Sequence, residues 1–221
     1  MTRYLCLLVI LAACLLGANS QNYKKVIHNY DPQAKCLDGS PGLLYVHEGG
    51  DPKKILMFME GGGLCGEETL EKTLESCYNR TKTILGSSKY WPEELTPDVA
   101  QGYLSTDPKI SNFANWTKFI FGYCDGSLHQ GYAEDPIKYK DAELYFRGGA
   151  ITRSHFDWID SKYDLKGAEK IIFTGGSAGG LGVNLWSNYV KDFVGDEKKV
   201  YSIPDSGVFF NFKSHTGNPH I

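Results

Sequence analysis

No cluster of lysine and arginine occurs in this chain, and its charges nearly cancel at a net −3. A surface that grips nucleic acid needs such a cluster, so nucleic acid is excluded as a partner. There is no internal repeat and no low-complexity tract, which leaves an ordinary globular domain. Past Leu16 no apolar run is long enough to cross a bilayer, so no membrane span is expected.

What the chain does have begins with a leader. Thr2-Arg3 gives a positive start, Tyr4 to Leu16 is almost wholly apolar, and Ala18-Asn19-Ser20 supplies small residues for cleavage before Gln21. Residues 1–20 therefore read as a secretory signal peptide, and the product as extracellular. The remaining residues, 21–221, are enough for one domain with a sizeable core. Cys6 and Cys14 leave with the leader, while Cys36, Cys65, Cys77 and Cys124 stay. An even number in a secreted chain predicts two disulfides, with three pairings open. Asn79-Arg80-Thr81 and Asn115-Trp116-Thr117 fit the glycosylation pattern, which agrees with secretion.

Apolar runs alternate with helix-compatible stretches. Asn22 to Tyr30 and Leu43 to His47 read as short leading strands. Lys54 to Met59, Lys118 to Tyr123 and Lys170 to Thr174 are continuous apolar runs of strand length, as expected of strands buried on both faces. Residues 67–83 suit a polar helix, and Ser87 to Ser105 reads as irregular. Gly149 to Tyr163 fits a helix with Ile151, His155, Trp158 and Ile159 on one face. A second helix runs from about Gly180 to Phe193, and a last strand from Lys199 to Ile203. Strand alternating with helix predicts an α/β fold, a mostly parallel sheet with helices on both faces. The working site then lies at the carboxyl ends of the strands.

Three loops leave such ends. One holds Gly175-Gly176-Ser177-Ala178-Gly179, entered from a strand and left by a helix. That is the nucleophile-elbow pattern, in which only very small residues fit two before and two after the serine. Ser177 is the candidate nucleophile, and the Ala178 amide the first oxyanion donor. Glu60-Gly61-Gly62-Gly63-Leu64-Cys65 follows an earlier strand, where the glycine-rich oxyanion loop of esterases lies. Either motif alone is weak, because a glycine-rich turn also serves phosphate binding or mere tight bending. Both in this order form a much stronger signal. The third loop, Cys124-Asp125-Gly126-Ser127, could contact substrate but is also an ordinary turn. His129 could line the cleft. His155 reads as packed, and His215 and His220 as solvated. Asp205 reads as a structural carboxylate, and Phe209, Phe210 and Phe212 as core.

Together these motifs resemble the pectin acetylesterase and Notum family of secreted carboxylesterases. The resemblance runs through Cys36-Leu37-Asp38-Gly39-Ser40-Pro41, the Glu60 to Cys65 loop, Gly86-Ser87-Ser88 and Tyr123 to Ser127. It continues through Leu144-Tyr145-Phe146-Arg147-Gly148, Gly176 to Gly180 and Asp205-Ser206-Gly207. It implies an α/β-hydrolase-like fold and a Ser-His-Asp mechanism with neither metal nor cofactor. It implies removal of an acetyl or fatty acyl group from an acylated polysaccharide or an acylated protein. By position, Ser177 is the nucleophile and Gly62, Gly63 and Ala178 frame the oxyanion hole. The pairs Cys36–Cys124 and Cys65–Cys77 are also implied. Leu64 departs from the family, which carries an aromatic residue there. The family's catalytic aspartate and histidine lie beyond the aspartate-serine-glycine motif, and no residue here matches them. The sequence thus reads as an amino-terminal portion, incomplete at its carboxyl end. Two other readings stay open: a catalytically inactive secreted binding protein on this scaffold, and a lipase- or peptidase-like hydrolase completed by Asp205 and a tail histidine.

Overall fold

The computed structural model describes residues 22–96, 101–195 and 199–208. The leader, the Phe209–Phe212 cluster, His215 and His220 lie outside the described residues. Seven strands form one sheet: β1 (Tyr23–Val26), β2 (Leu44–His47), β3 (Asp51–Met59), β4 (Glu94–Leu95), β5 (Trp116–Phe121), β8 (Lys170–Gly176) and β9 (Lys199–Asp205). Their order across the sheet is β4-β1-β2-β5-β3-β8-β9. The β4-β1-β2-β5 side is antiparallel, and the β5-β3-β8-β9 side is parallel. A short hairpin, β6 (Ile137–Tyr139) and β7 (Ala142–Leu144), stands apart. The helices are α1 (Leu70–Arg80), α2 (Gly148–Tyr163) and α3 (Ala178–Val194).

Alternation along the strands sorts their side chains into two cores. Ile55, Met57 and Met59 of β3, Phe119 and Phe121 of β5, and Ile171 and Phe173 of β8 point to one face. There they meet Phe156 and Ile159 of α2 and Val183, Trp186, Val190 and Val194 of α3. The α3 residues recur at three- and four-residue steps, the stripe a surface helix buries. Leu56, Ile120 and Ile172 point the other way, toward Trp91, Leu104 and Tyr45. Each such fully buried side chain contributes roughly 1.5–3 kcal/mol. The sequence-based expectation of helices on both faces is met differently on the two sides. Among the described residues, α2 and α3 cover one face. The chain around Trp91 and Leu104, with 3₁₀ turns at Ser88–Tyr90 and Gly102–Leu104, covers the other.

The disulfides are Cys36–Cys124 and Cys65–Cys77. Strand limits move by a few residues from those expected. β3 starts at Asp51, and its pairing with β5 shifts register between Asp51 and Ile55. β1 stops at Val26, since His28 leaves the sheet to stack on Trp158 of α2, ring centroids 5.5 Å apart. Among the described residues no helix is long and apolar enough to cross a membrane.

Candidate active site

Strands β3 and β8 are parallel neighbours, with Met59 opposite Gly175. Their carboxyl ends therefore release the glycine loop and the elbow side by side. Ser177 sits between β8 and α3 at φ 54° and ψ −120°, a conformation that L residues avoid. Holding a serine there costs about 1–3 kcal/mol, so the surroundings must impose it. They do so through two bonds: Ser177 N–H donates to the Asp205 carbonyl (3.0 Å), and Leu181 N–H donates to the Ser177 carbonyl (3.1 Å). The bend brings the start of α3 against β3. A methyl on Gly179 would overlap the Met59 carbonyl, which explains the need for glycine there. The Ser177 side chain is left exposed.

The glycine loop lies against this serine. A Cβ built on Gly61 would stand 3.1 Å from Ser177 Cβ and 2.5 Å from the Gly176 carbonyl oxygen. Gly62 and Gly63 hold φ of 147° and 65°, the region that glycine alone enters freely. Among the described residues, the N–H groups of Gly62, Gly63, Leu64 and Ala178 donate to no protein acceptor. Ala178 is the first residue of α3, so its N–H is free by construction. An exposed hydroxyl beside a group of unspent amides can take an acyl group and cradle the resulting oxyanion.

The other residues singled out in the sequence serve structure. Asp125 is buried; it accepts from Ser127 N–H (3.0 Å) and from the Ser127 hydroxyl, and it packs against Gly148 at the start of α2. His129 is 2 % exposed, a core residue under the site rather than a cleft wall. Burial holds its ring neutral, against the pull of the Asp125 charge. Its Nε2–H donates to the Glu60 carbonyl at 2.8 Å. His155 is buried as expected and meets His28, ring nitrogens 2.9 Å apart. Burial raises the Glu60 carboxyl above the usual carboxylate range, partly opposed by the Gly61 amide. The Asp205 carboxylate is exposed and accepts from Ser206 Oγ at 3.0 Å, while its carbonyl anchors the elbow. Asn79 and Asn115 are both exposed.

Two further residues touch the loop that the sequence did not single out. Arg80 donates to the carbonyls of Gly62 (2.9 Å) and Leu64 (2.8 Å). Tyr123 donates to the carbonyl of Gly63 (2.7 Å). The available signals were the position of Arg80, three residues beyond Cys77 on one helix, and that of Tyr123 beside Cys124.

Comparison with known proteins follows the same lines. The chain is 36% identical to Pectin acetylesterase 5 of Arabidopsis thaliana over 189 residues, 84% of this chain and 42% of that protein. It is 30% identical to the Palmitoleoyl-protein carboxylesterase NOTUM of Mus musculus over 187 residues, 81% of this chain and 35% of that one. A solved structure of the Wnt deacylase Notum from Drosophila superposes with a TM-score of 0.74 at 24% identity. That match covers 87% of this chain and 55% of the other, and it shows an α/β-hydrolase-like fold. The chain spans about half or less of the length of the curated relatives it matches. The sequence profile of the Pectinacetylesterase family matches residues 18–221, and the chain belongs to that family.

Proposed function

We propose that this chain carries the nucleophile and oxyanion hole of a secreted serine carboxylesterase. Ser177 attacks the ester carbonyl, the amides of Gly62, Gly63 and Ala178 receive the negative oxygen, and collapse of this adduct breaks the ester C–O bond, so the alcohol leaves with the proton given up by the serine hydroxyl. The acyl-enzyme is then released by water. The observation that carries this reading is the juxtaposition at the strand ends: an exposed serine on a strained bend, with Gly61 pressed against it and unspent amides alongside. The relatives' names point to an acetyl or a palmitoleoyl group, on pectin or on a protein. For this chain the substrate is accordingly an acylated extracellular polysaccharide or protein, and the reaction uses neither metal nor cofactor. Residues 1–20 are removed as a signal peptide, 21–221 belong to one domain, and Asn79 and Asn115 carry glycans.

The test is Ser177→Ala in the protein expressed from its complete coding sequence. Hydrolysis of p-nitrophenyl acetate and p-nitrophenyl octanoate should fall by about 10⁴-fold or more, and fluorophosphonate labelling should vanish. Activity unchanged by this substitution refutes the assignment. The ratio of the two ester rates separates an acetyl from a fatty-acyl preference.

A second reading has one observation in its favour. His129 is bonded to the Glu60 carbonyl, and His28 and His155 meet each other, so these three described histidines are engaged away from Ser177. A wild-type protein that binds acylated glycan or peptide without hydrolysing either ester would be a binding protein on this scaffold.

A further inference from the structure

We infer that Arg80 and Tyr123 are positioning residues that aim and polarise the Gly63 amide, an oxyanion donor of the glycine loop, together with the Leu64 amide beside it. The inference rests on the esterase reading of Ser177.

Three successive carbonyls of the loop are each held by a side-chain donor. Arg80 Nη1 donates to Gly62 O at 2.9 Å, Tyr123 Oη donates to Gly63 O at 2.7 Å, and Arg80 Nη2 donates to Leu64 O at 2.8 Å. In a planar trans peptide, the carbonyl of one residue and the N–H of the next point in opposite directions. Pinning the carbonyls of Gly62 and Gly63 therefore turns the N–H groups of Gly63 and Leu64 away from Arg80 and Tyr123. Both N–H groups lack a protein acceptor among the described residues. The peptide after Leu64 obeys the same rule, with its N–H spent: Cys65 N–H donates to Gly126 O at 3.2 Å.

Backbone freedom explains why pins are needed. Two glycines at positive φ make the loop able to turn its amides inward, and equally able to turn them away. The pins remove that choice. Each bond to a carbonyl also draws electrons from the peptide and strengthens its N–H as a donor. The pins are themselves held. Tyr123 is wholly buried and receives Leu128 N–H on its oxygen at 3.0 Å, and burial keeps the phenol protonated, hence a donor. Arg80 ends α1, three residues after Cys77, whose disulfide to Cys65 ties the far end of the loop to the same helix. A guanidinium reaches two carbonyls two residues apart because its donors are forked; an ammonium is a single point.

The experiment compares Arg80→Met, Arg80→Lys and Tyr123→Phe with wild type and Ser177→Ala in the full-length protein. It reads kcat and KM on p-nitrophenyl acetate, the affinity of a boronic acid that forms a tetrahedral serine adduct, and the thermal midpoint. Arg80→Met and Tyr123→Phe should each lower kcat about 10- to 100-fold with KM within about threefold. Boronate affinity should fall in parallel with kcat, and Arg80→Lys should recover part of the loss. A structural role alone would move the midpoint without this kcat-specific pattern. If Arg80→Met does not fold, Tyr123→Phe and Arg80→Lys decide. Folded variants with wild-type kcat, against an inactive Ser177→Ala, overturn this inference alone. A fully active Ser177→Ala overturns the esterase reading beneath it.

Discussion

An alanine scan of Gly61, Gly62 and Gly63 would test the site most sharply, because the structure predicts three different outcomes. At Gly61 the backbone conformation is ordinary but the space is not. The new Cβ would lie 2.5 Å from the Gly176 carbonyl oxygen and 3.1 Å from Ser177 Cβ, both parts of the elbow. Relief requires the loop to retreat from the serine by roughly 0.7 Å, judged against ordinary van der Waals separation. A displacement near 1 Å costs about 10²-fold in rate, comparable to losing one oxyanion donor. At Gly62 the Cβ would meet Leu85 Cδ2 at 2.5 Å, the tip of a flexible chain, but φ is 147°. There the backbone penalty of about 1–3 kcal/mol should appear in stability as well as in rate. At Gly63 the nearest atom would be Arg80 Nη2 at 3.5 Å, and φ is 65°. Only the left-handed penalty of about 1–2 kcal/mol remains, and activity should stay close to wild type. Urea unfolding and ester kinetics on the three variants give both readouts. A Gly61→Ala enzyme within threefold of wild type, alongside a Gly63→Ala enzyme down about 100-fold, would show that the loop does not face Ser177 as described.

Other perturbations read the scaffold. Chain-entropy arithmetic gives about 4.6 kcal/mol for Cys36–Cys124, which closes 88 residues, and about 2.8 for Cys65–Cys77, which closes 12. Paired Cys→Ala variants should follow that order in stability and reverse it in kcat, because Cys65–Cys77 anchors the glycine loop; the same order in both would contradict the loop's role. Lys118 is wholly buried, and burial lowers it from 10.5 to about 8 while its Nζ donates to the carbonyls of Ala114 and Trp116. The unfolded chain holds this proton more tightly, so Lys118 should contribute a rise of about 2–3 kcal/mol between pH 8 and 10, read as the difference in slope between wild type and Lys118→Met because the buried tyrosines act the other way in both. Equal slopes in the two proteins would refute it. Burial also lowers His28 to about 4 and keeps His129 and His155 neutral. Their contribution is present above pH 6.5 and is lost as pH falls toward 4, since the unfolded imidazoles then take up protons first. Chemical denaturation between pH 7 and 5 should show that loss, shallower by one proton in His28→Gln.

What was legible in the sequence was what is encoded locally. Ile171, Ile172 and Phe173, the middle of the run Lys170 to Thr174, are all apolar because both faces of β8 are covered, and the glycines behind them announce the bend. The glycine loop is similarly self-declaring. The cover of the second face was not legible, because Trp91 and Leu104 are single apolar residues in segments with no period, joined to the core by long-range packing. The β6–β7 hairpin escaped because it turns through Lys140-Asp141, without the glycine that usually marks a tight turn, and Lys140 takes φ of 53° unaided. His129 lay close enough in sequence to the third loop to suggest a cleft wall. Only the fold shows that its ring faces inward to the Glu60 carbonyl. The roles of Arg80 and Tyr123 were not legible for the same reason: their positions near Cys77 and Cys124 drew notice only to the cysteines, and their partners are backbone carbonyls, which no side-chain pattern records.

The sheet, rather than the loops, sets the distance between Ser177 and the amides of the glycine loop. β3 and β8 pair in parallel from Lys54 opposite Lys170 to Met59 opposite Gly175, and both loops begin within two residues of that last pair. Neighbouring strands stand about 4.8 Å apart, so the two loops start at contact distance whatever their own sequences. A slip of one residue in that register would move one loop by about 3.3 Å along the strand and turn the inward residues outward. A slip of β8 would place Ile172 among the helix-facing residues in exchange for Phe173, and a slip of β3 would place Phe58 there in exchange for Met57. The register is therefore fixed by the two hydrophobic cores, far from any chemistry. β9 extends the same logic: Gly176 lies opposite Asp205, and this pairing lets the Asp205 carbonyl hold Ser177 in its bend. Substitutions that loosen β9 should thus relax the serine's backbone before they unfold the sheet.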